Sequence, residues 1–298
     1  MRRRLGRQVQ KLALDAGMGC PNRDGRVGTG GCTFCLNEAF SPSYCRETKE
    51  LHKQIERAIE FHAARHRTSQ CYIAYLQSGS NTYAPIDVLE EIYNKILSHP
   101  KISGLIVGTR PDCIDEQKLK LLEHISHSKY VAVEYGVETL NDTTLHNTNR
   151  HHTSHTTLEA IARTKSHGLD VGAHLIIGLP NEREEHIIAS VEGLNSLDID
   201  SIKFHQLQIY HNTPMAMEWE QHPERFIFAN SYNADSYIEL LTRLIRHLNP
   251  KTSVERMASS APRHLIAHSP LGGIRPDIVR QRVTERLLTL GAHQGDLL

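Results

Sequence analysis

The feature that most constrains this chain is an alternation of short apolar runs with segments of helical period, sustained from Val9 to Ile209. Val9 to Asp15, Cys71 to Leu76 (CYIAYL), Ile102 to Val107 (ISGLIV), Tyr130 to Val137 (YVAVEYGV), Leu169 to Ile177 and Ser201 to Ile209 (SIKFHQLQI) read as six strands. Between them, Leu51 to Ala64, Ile86 to Leu97 after Pro85, Ile114 to Ile125, Thr156 to Ser166 before Gly168, and Glu184 to Leu197 carry the helical period. Such alternation implies successive right-handed crossovers and a parallel sheet. Periodicity alone leaves open whether that sheet is doubly wound or curved into a full or partial barrel. In either case a site forms where strands hand over to loops at their C-terminal ends.

Past Tyr210 the pattern changes. A Pro-containing stretch from Thr213 to Pro223 holds the single Trp, Trp219. Asn230 to Leu248 then predicts a long helix with Tyr237, Leu240, Leu241, Leu244 and Leu248 on one face. A strand at Ser253 to Met257 and a helix at Ile278 to Leu290 follow. This divides the chain into a core, 1–225, and a mainly helical extension, 226–298, expected to pack on it.

The 298 residues are 39% hydrophobic and 23% charged, enough apolar material for a sizeable core. Lys plus Arg equals Asp plus Glu at 34 each, so no global field draws the protein to nucleic acid or anionic lipid. An RNA substrate is open but unsupported. Arg2, Arg3, Arg4 and Arg7 read as a solvated terminus, and Gln8, Gln10 and Lys11 break up any signal-peptide core after them. No stretch reaches membrane-spanning length, so the expectation is a cytoplasmic protein without membrane association, with reduced cysteines.

Three of the six cysteines are clustered. Cys20, Cys32 and Cys35 form C-x11-C-x2-C in a loop, Gly17 to Gly31, too rich in Gly, Asn and Asp for regular structure. Three thiolates suit an iron-sulfur cluster with one iron left open. They equally suit a structural zinc site in which Cys45 or His52 supplies the fourth ligand of a non-catalytic binding protein. The spacing leaves both open.

The loop CPNRDGRVGTGGCTFCLNEAF, running to Phe40 and followed by the alternating body, resembles the YhcC-like group of radical SAM proteins. These are relatives of the radical SAM domain of the elongator catalytic subunit and, more distantly, of oxygen-independent coproporphyrinogen oxidase. The gap differs from the common C-x3-C-x2-C, but its length and the aromatic Phe34 match this subgroup. The resemblance implies a partial (β/α)6 TIM-type barrel with a [4Fe-4S] cluster on Cys20, Cys32 and Cys35. S-adenosylmethionine would chelate the open iron and be cleaved to a 5′-deoxyadenosyl radical that abstracts hydrogen from an unknown substrate. An external electron donor of flavodoxin or ferredoxin type is implied as partner.

Site residues carry over position by position. Gln77, Ser78, Gly79 and Ser80 follow the second strand where the family has its methionine-binding segment, although the usual GGE wording is absent and only a backbone role transfers. Glu138 matches a residue holding the ribose hydroxyls, and Arg150 one pairing with the methionine carboxylate. His174 takes a second ribose-facing position, and Ile176 and Leu207 would flank the adenine. Arg110 and Asp112 face the same mouth. Cys45, Cys71 and Cys113 read as small buried hydrophobes. The tRNA chemistry of the elongator relative is not carried over.

Overall fold

The computed structural model describes residues 5, 6, 8–39, 41–228, 233–269 and 271–298, with nothing given for the Glu38 side chain. Phe40, the end of the loop quoted above, and the Arg2 to Arg4 and Arg7 cluster lie outside the described residues. The strands are β1 (Val9–Leu14), β2 (Cys71–Leu76), β3 (Ile102–Thr109), β4 (Tyr130–Glu138), β5 (Asp170–Ile177), β6 (Ser201–Gln206), β7 (Ile209–Tyr210), β8 (Ser253–Arg256) and β9 (Ile266–His268). The helices are α1 (Ser43–Glu47), α2 (Leu51–Ala63), α3 (Ile86–Leu97), α4 (Glu116–Ser126), α5 (Asp142–Asn147), α6 (Ser154–Ser166), α7 (Glu184–Asn195), α8 (Pro214–Gln221), α9 (Ala234–Arg246) and α10 (Pro276–Leu290).

Seven strands form one parallel sheet in the order β1-β2-β3-β4-β5-β6-β8, curled into a partial barrel with helices outside. Every residue of β2 is buried, which is how a parallel strand covered on both faces differs from an alternating one. Helix boundaries follow local chemistry. Glu50 caps α2 by accepting from the amides of His52 and Lys53, and Asp115 caps α4 through Lys118.

The expected sixth strand, Ser201 to Ile209, is divided. β6 ends at Gln206, and Ile209 and Tyr210 pair antiparallel with β9 in a separate ribbon. The stretch from Thr213 holds α8, with Thr213 as N-cap and Pro214 in the first turn. The strand at Ser253 joins β6 in parallel and becomes the seventh of the barrel. Of the long helix, Asn230 to Tyr232 lie outside the described residues; α9 starts after Asn233, whose side chain accepts from the amides of Asp235 and Ser236.

Leu240, Leu241 and Leu244 of α9 and Val283 of α10 are fully buried in the same apolar cluster as the barrel strands. Among the described residues, no helix is long and apolar enough to cross a membrane.

Candidate active site

The C-terminal ends of the strands open into one cleft, and the cysteine loop forms part of its wall. Two turns shape that loop: the Arg23 amide donates to the Cys20 carbonyl (2.9 Å), and the Cys35 amide to the Cys32 carbonyl (3.0 Å). The segment before Arg150 holds the loop in place. The Thr33 amide donates to the Thr148 carbonyl (3.0 Å), and Asn149 Nδ2 to the Gly31 carbonyl (2.8 Å). Cys20, Cys32 and Cys35 all line the cleft. Among the described residues, however, no three His, Cys, Asp or Glu side chains are already gathered closely enough to hold a metal ion.

An amide and two guanidiniums surround the Cys32 sulfur. Asn22 Nδ2 donates to Cys32 Sγ (3.4 Å), Arg150 Nη1 lies 3.5 Å from the same sulfur, and Arg110 Nη1 lies 3.9 Å away. Arg23 donates to the Cys35 carbonyl (3.0 Å). Burial, and then the neighbouring Cys32, push the Cys35 thiol up, so a positive partner such as a metal is what would release its proton.

Glu138 closes β4 at φ +66°, a left-handed conformation that a non-glycine residue adopts only where the surroundings dictate it. Its carboxylate pairs with Arg150 (3.3 Å), which also donates to the Gly136 carbonyl. Gly136 leaves room for this pair: a Cβ there would sit 2.5 Å from Glu138 Oε1 and 2.8 Å from Arg150 Nη2, so the ends of both side chains would have to shift. Burial raises the Glu138 pKa, with Arg150 opposing. Arg150 is buried, yet Cys32 and Glu138 outweigh that burial and keep it charged, and among the described residues its Nε has no hydrogen-bond partner.

Gln77, Gly79 and Ser80 line the cleft after β2; Ser78 does not, its hydroxyl being engaged with Ser41 (2.6 Å). Gly79 has φ +76°, and a Cβ there would meet the Met18 carbonyl at 2.4 Å. This close approach presses the turn against the residues leading into Cys20, with the Ser80 amide on the Gly19 carbonyl (3.0 Å). His174, Ile176 and Leu207 line the remaining wall. Arg110 also faces in, gripped by Asp112 through two 2.8 Å bonds and donating to the Arg150 carbonyl (2.7 Å).

Residues that sequence reasoning passed over complete the site. Asn22 and Arg23 sit between the cysteines, and Tyr75, His205, Gln206, Gln208, Tyr210 and Ser259 line the far end. The neighbourhood of the cysteines could have flagged the first two. Cys45 and His52, the fourth ligands a zinc site would need, do not line the cleft. Cys45 donates to the Ala13 carbonyl (3.5 Å), its thiol pushed up to about 12 by burial, and His52 bonds the Lys95 carbonyl. Cys71 and Cys113 are buried, as expected of small hydrophobes.

The family profile described as Radical SAM superfamily matches residues 18–194, and that described as Radical_SAM C-terminal domain matches 199–287. The chain belongs to the radical SAM superfamily. Within it, the chain is 35% identical to Escherichia coli protein YhcC over 262 residues, covering 88% of this chain and 82% of the relative. It is 30% identical to YtqA of Bacillus subtilis over 300 residues, covering 99% and 89%. The resemblance read from the cysteine loop is thus borne out. In structure it is similar to the archaeal Elp3 of Methanocaldococcus infernus, with a TM-score of 0.72 at 16% identity. That match covers 96% of this chain and 64% of the archaeal one.

Proposed function

We propose that this radical SAM protein is an enzyme that holds a [4Fe-4S] cluster on Cys20, Cys32 and Cys35 and cleaves S-adenosylmethionine reductively, abstracting hydrogen from a substrate the cleft leaves unnamed. One observation carries the reading. Three thiols share a cleft wall with a buried guanidinium, Arg150, that reaches Cys32 on one side and Glu138 on the other and, among the described residues, keeps its Nε unpartnered. The donor set fits the cofactors: thiolates for iron, cations that favour the thiolate form, and a fork for a carboxylate.

Bound together, cluster and S-adenosylmethionine supply a one-electron cleavage of the sulfonium C–S bond, giving methionine and a 5′-deoxyadenosyl radical. The chain's own residues bind and orient. Backbone groups of Gln77 to Ser80 would take the methionine amino group and Arg150 its carboxylate. Glu138 and His174 would hold the ribose, with Ile176 and Leu207 against the adenine. The electron would come from an external donor of flavodoxin or ferredoxin type. RNA remains an unsupported substrate, since the archaeal likeness speaks for the fold alone.

The test is anaerobic reconstitution with iron and sulfide, reduction with dithionite, and chromatographic measurement of 5′-deoxyadenosine against iron content. Deoxyadenosine that tracks iron and vanishes in Cys20→Ala, Cys32→Ala and Cys35→Ala is the expected result. Cleavage that persists in any of the three, or bound zinc without cleavage, refutes the assignment.

A further inference from the structure

Beneath the cleft, the inward faces of five strands hold a charge network of which only His174 has a role above. Glu134 on β4 is 3% exposed and accepts from Lys203 on β6, from Lys11 on β1 (2.9 Å) and from His174 on β5 (2.9 Å, through Nε2). Lys11 also pairs with Glu255 on β8 (2.5 Å), and Lys203 donates to the Tyr75 hydroxyl (3.3 Å).

These partners decide which nitrogen of His174 carries its proton. Burial alone would neutralise Glu134, but Lys203, His174 and Lys11 hold it well below the usual carboxylate range. An ionised carboxylate only accepts, so the His174 Nε2 that faces it donates. A second proton, on Nδ1, would make a buried cation beside Lys203; burial and that lysine push His174 down to about 4. The ring is therefore neutral at pH 7 with Nδ1 bare. His174 lines the cleft, and among the described residues its side chain has one hydrogen bond, the one to Glu134.

We propose that Glu134, clamped by Lys203 and Lys11, is a positioning residue that locks His174 as the Nε2–H tautomer and so presents Nδ1 to the cleft as a hydrogen-bond acceptor for a cofactor hydroxyl. The role rests on the proposed function, in which that hydroxyl belongs to the ribose of S-adenosylmethionine. The clamp draws on β1, β4 and β6, whereas the acceptor is on β5, so the barrel as a whole sets one tautomer. A network that only laces the strands together would leave affinity indifferent to His174.

The first readout needs no cofactor. Long-range proton–nitrogen correlation on histidine-labelled protein at pH 7, with His174 assigned by its loss in His174→Phe, should show a protonated Nε2 and a bare Nδ1. A protonated Nδ1 or a charged ring overturns the proposal. The second readout is the affinity of reconstituted protein for S-adenosylmethionine by equilibrium dialysis. His174→Phe should weaken it about tenfold, the scale of one hydrogen bond to a site left unpaired. Glu134→Gln combined with Lys203→Met removes one charge of each sign. It should give a similar loss and add nothing in the His174→Phe background. An unchanged affinity in the combined variant, or losses that add, overturns the positioning role alone. Wild-type protein with its iron that binds no S-adenosylmethionine overturns the proposed function and this role with it.

Discussion

Thr139 follows Glu138 directly, and its hydroxyl donates to Glu182 Oε1 (2.5 Å) in a buried setting. Burial pushes this carboxyl from 4.5 up to about 7. A raised acid binds its proton more tightly in the folded state. Its contribution is therefore fully present below pH 4.5 and is lost as pH climbs to 7, amounting to roughly 3 kcal/mol at most. Glu182→Gln should flatten that slope and be the more stable form at pH 8, read from denaturant midpoints at pH 5 and 8. Identical slopes would show that Glu182 does not titrate there. Arg150→Ala should keep the iron and weaken S-adenosylmethionine binding by about tenfold or more if, as proposed, the guanidinium takes the methionine carboxylate; unchanged affinity would remove Arg150 from that role. Neither Arg150 nor Glu138 was legible from pattern. Without the family resemblance, Glu138 reads as a plain strand-end Glu and Arg150 as a solvated helix-start Arg, because burial there depends on what the fold brings over them.

Elements were more legible than their joints. β2 and α3 begin and end where apolar period and Pro85 place them, because a buried strand and an amphipathic helix are written in local sequence. The end of β6 was not, since Leu207, Ile209 and Tyr210 carry apolar character on past it and the break is decided by pairing with β9, far along the chain. The turn after β2 shows the same limit in a form that can be tested. Gly79→Ala combines a left-handed φ with a Cβ 2.4 Å from the Met18 carbonyl, whereas at Gly168, with φ +69°, nothing lies within 4 Å. Gly168→Ala should therefore cost only about 1 kcal/mol, the conformational term. Gly79→Ala should cost clearly more and, because Met18 and Gly19 lead into Cys20, should also lower iron uptake. Equal midpoints and equal iron in the two variants would show that the turn yields without disturbing the cysteine loop.

At the scale of the molecule, β8 ties the C-terminal segment into the barrel. A partial barrel leaves edge strands whose unpaired backbone groups need cover. β8 provides it for β6, and Lys11 on β1 reaches across the barrel to Glu255 on β8. The same segment supplies Leu240, Leu241, Leu244 and Val283 to the apolar cluster of the strands, and α10 ties back to α9 through Arg286 and Glu239 (2.8 Å). Composition and period placed a boundary near residue 225 because the β/α rhythm stops there. They could not show that Ser253 to Arg256, a run with one apolar residue, would pair as a barrel strand. A chain ended after Arg225 would expose the β6 edge and the apolar face that α9 covers. It should elute as aggregate or unfold without a cooperative transition in denaturant, while the full chain gives a single one. A soluble 1–225 protein with a cooperative transition would instead show that six strands close their own core and that the seventh only extends it.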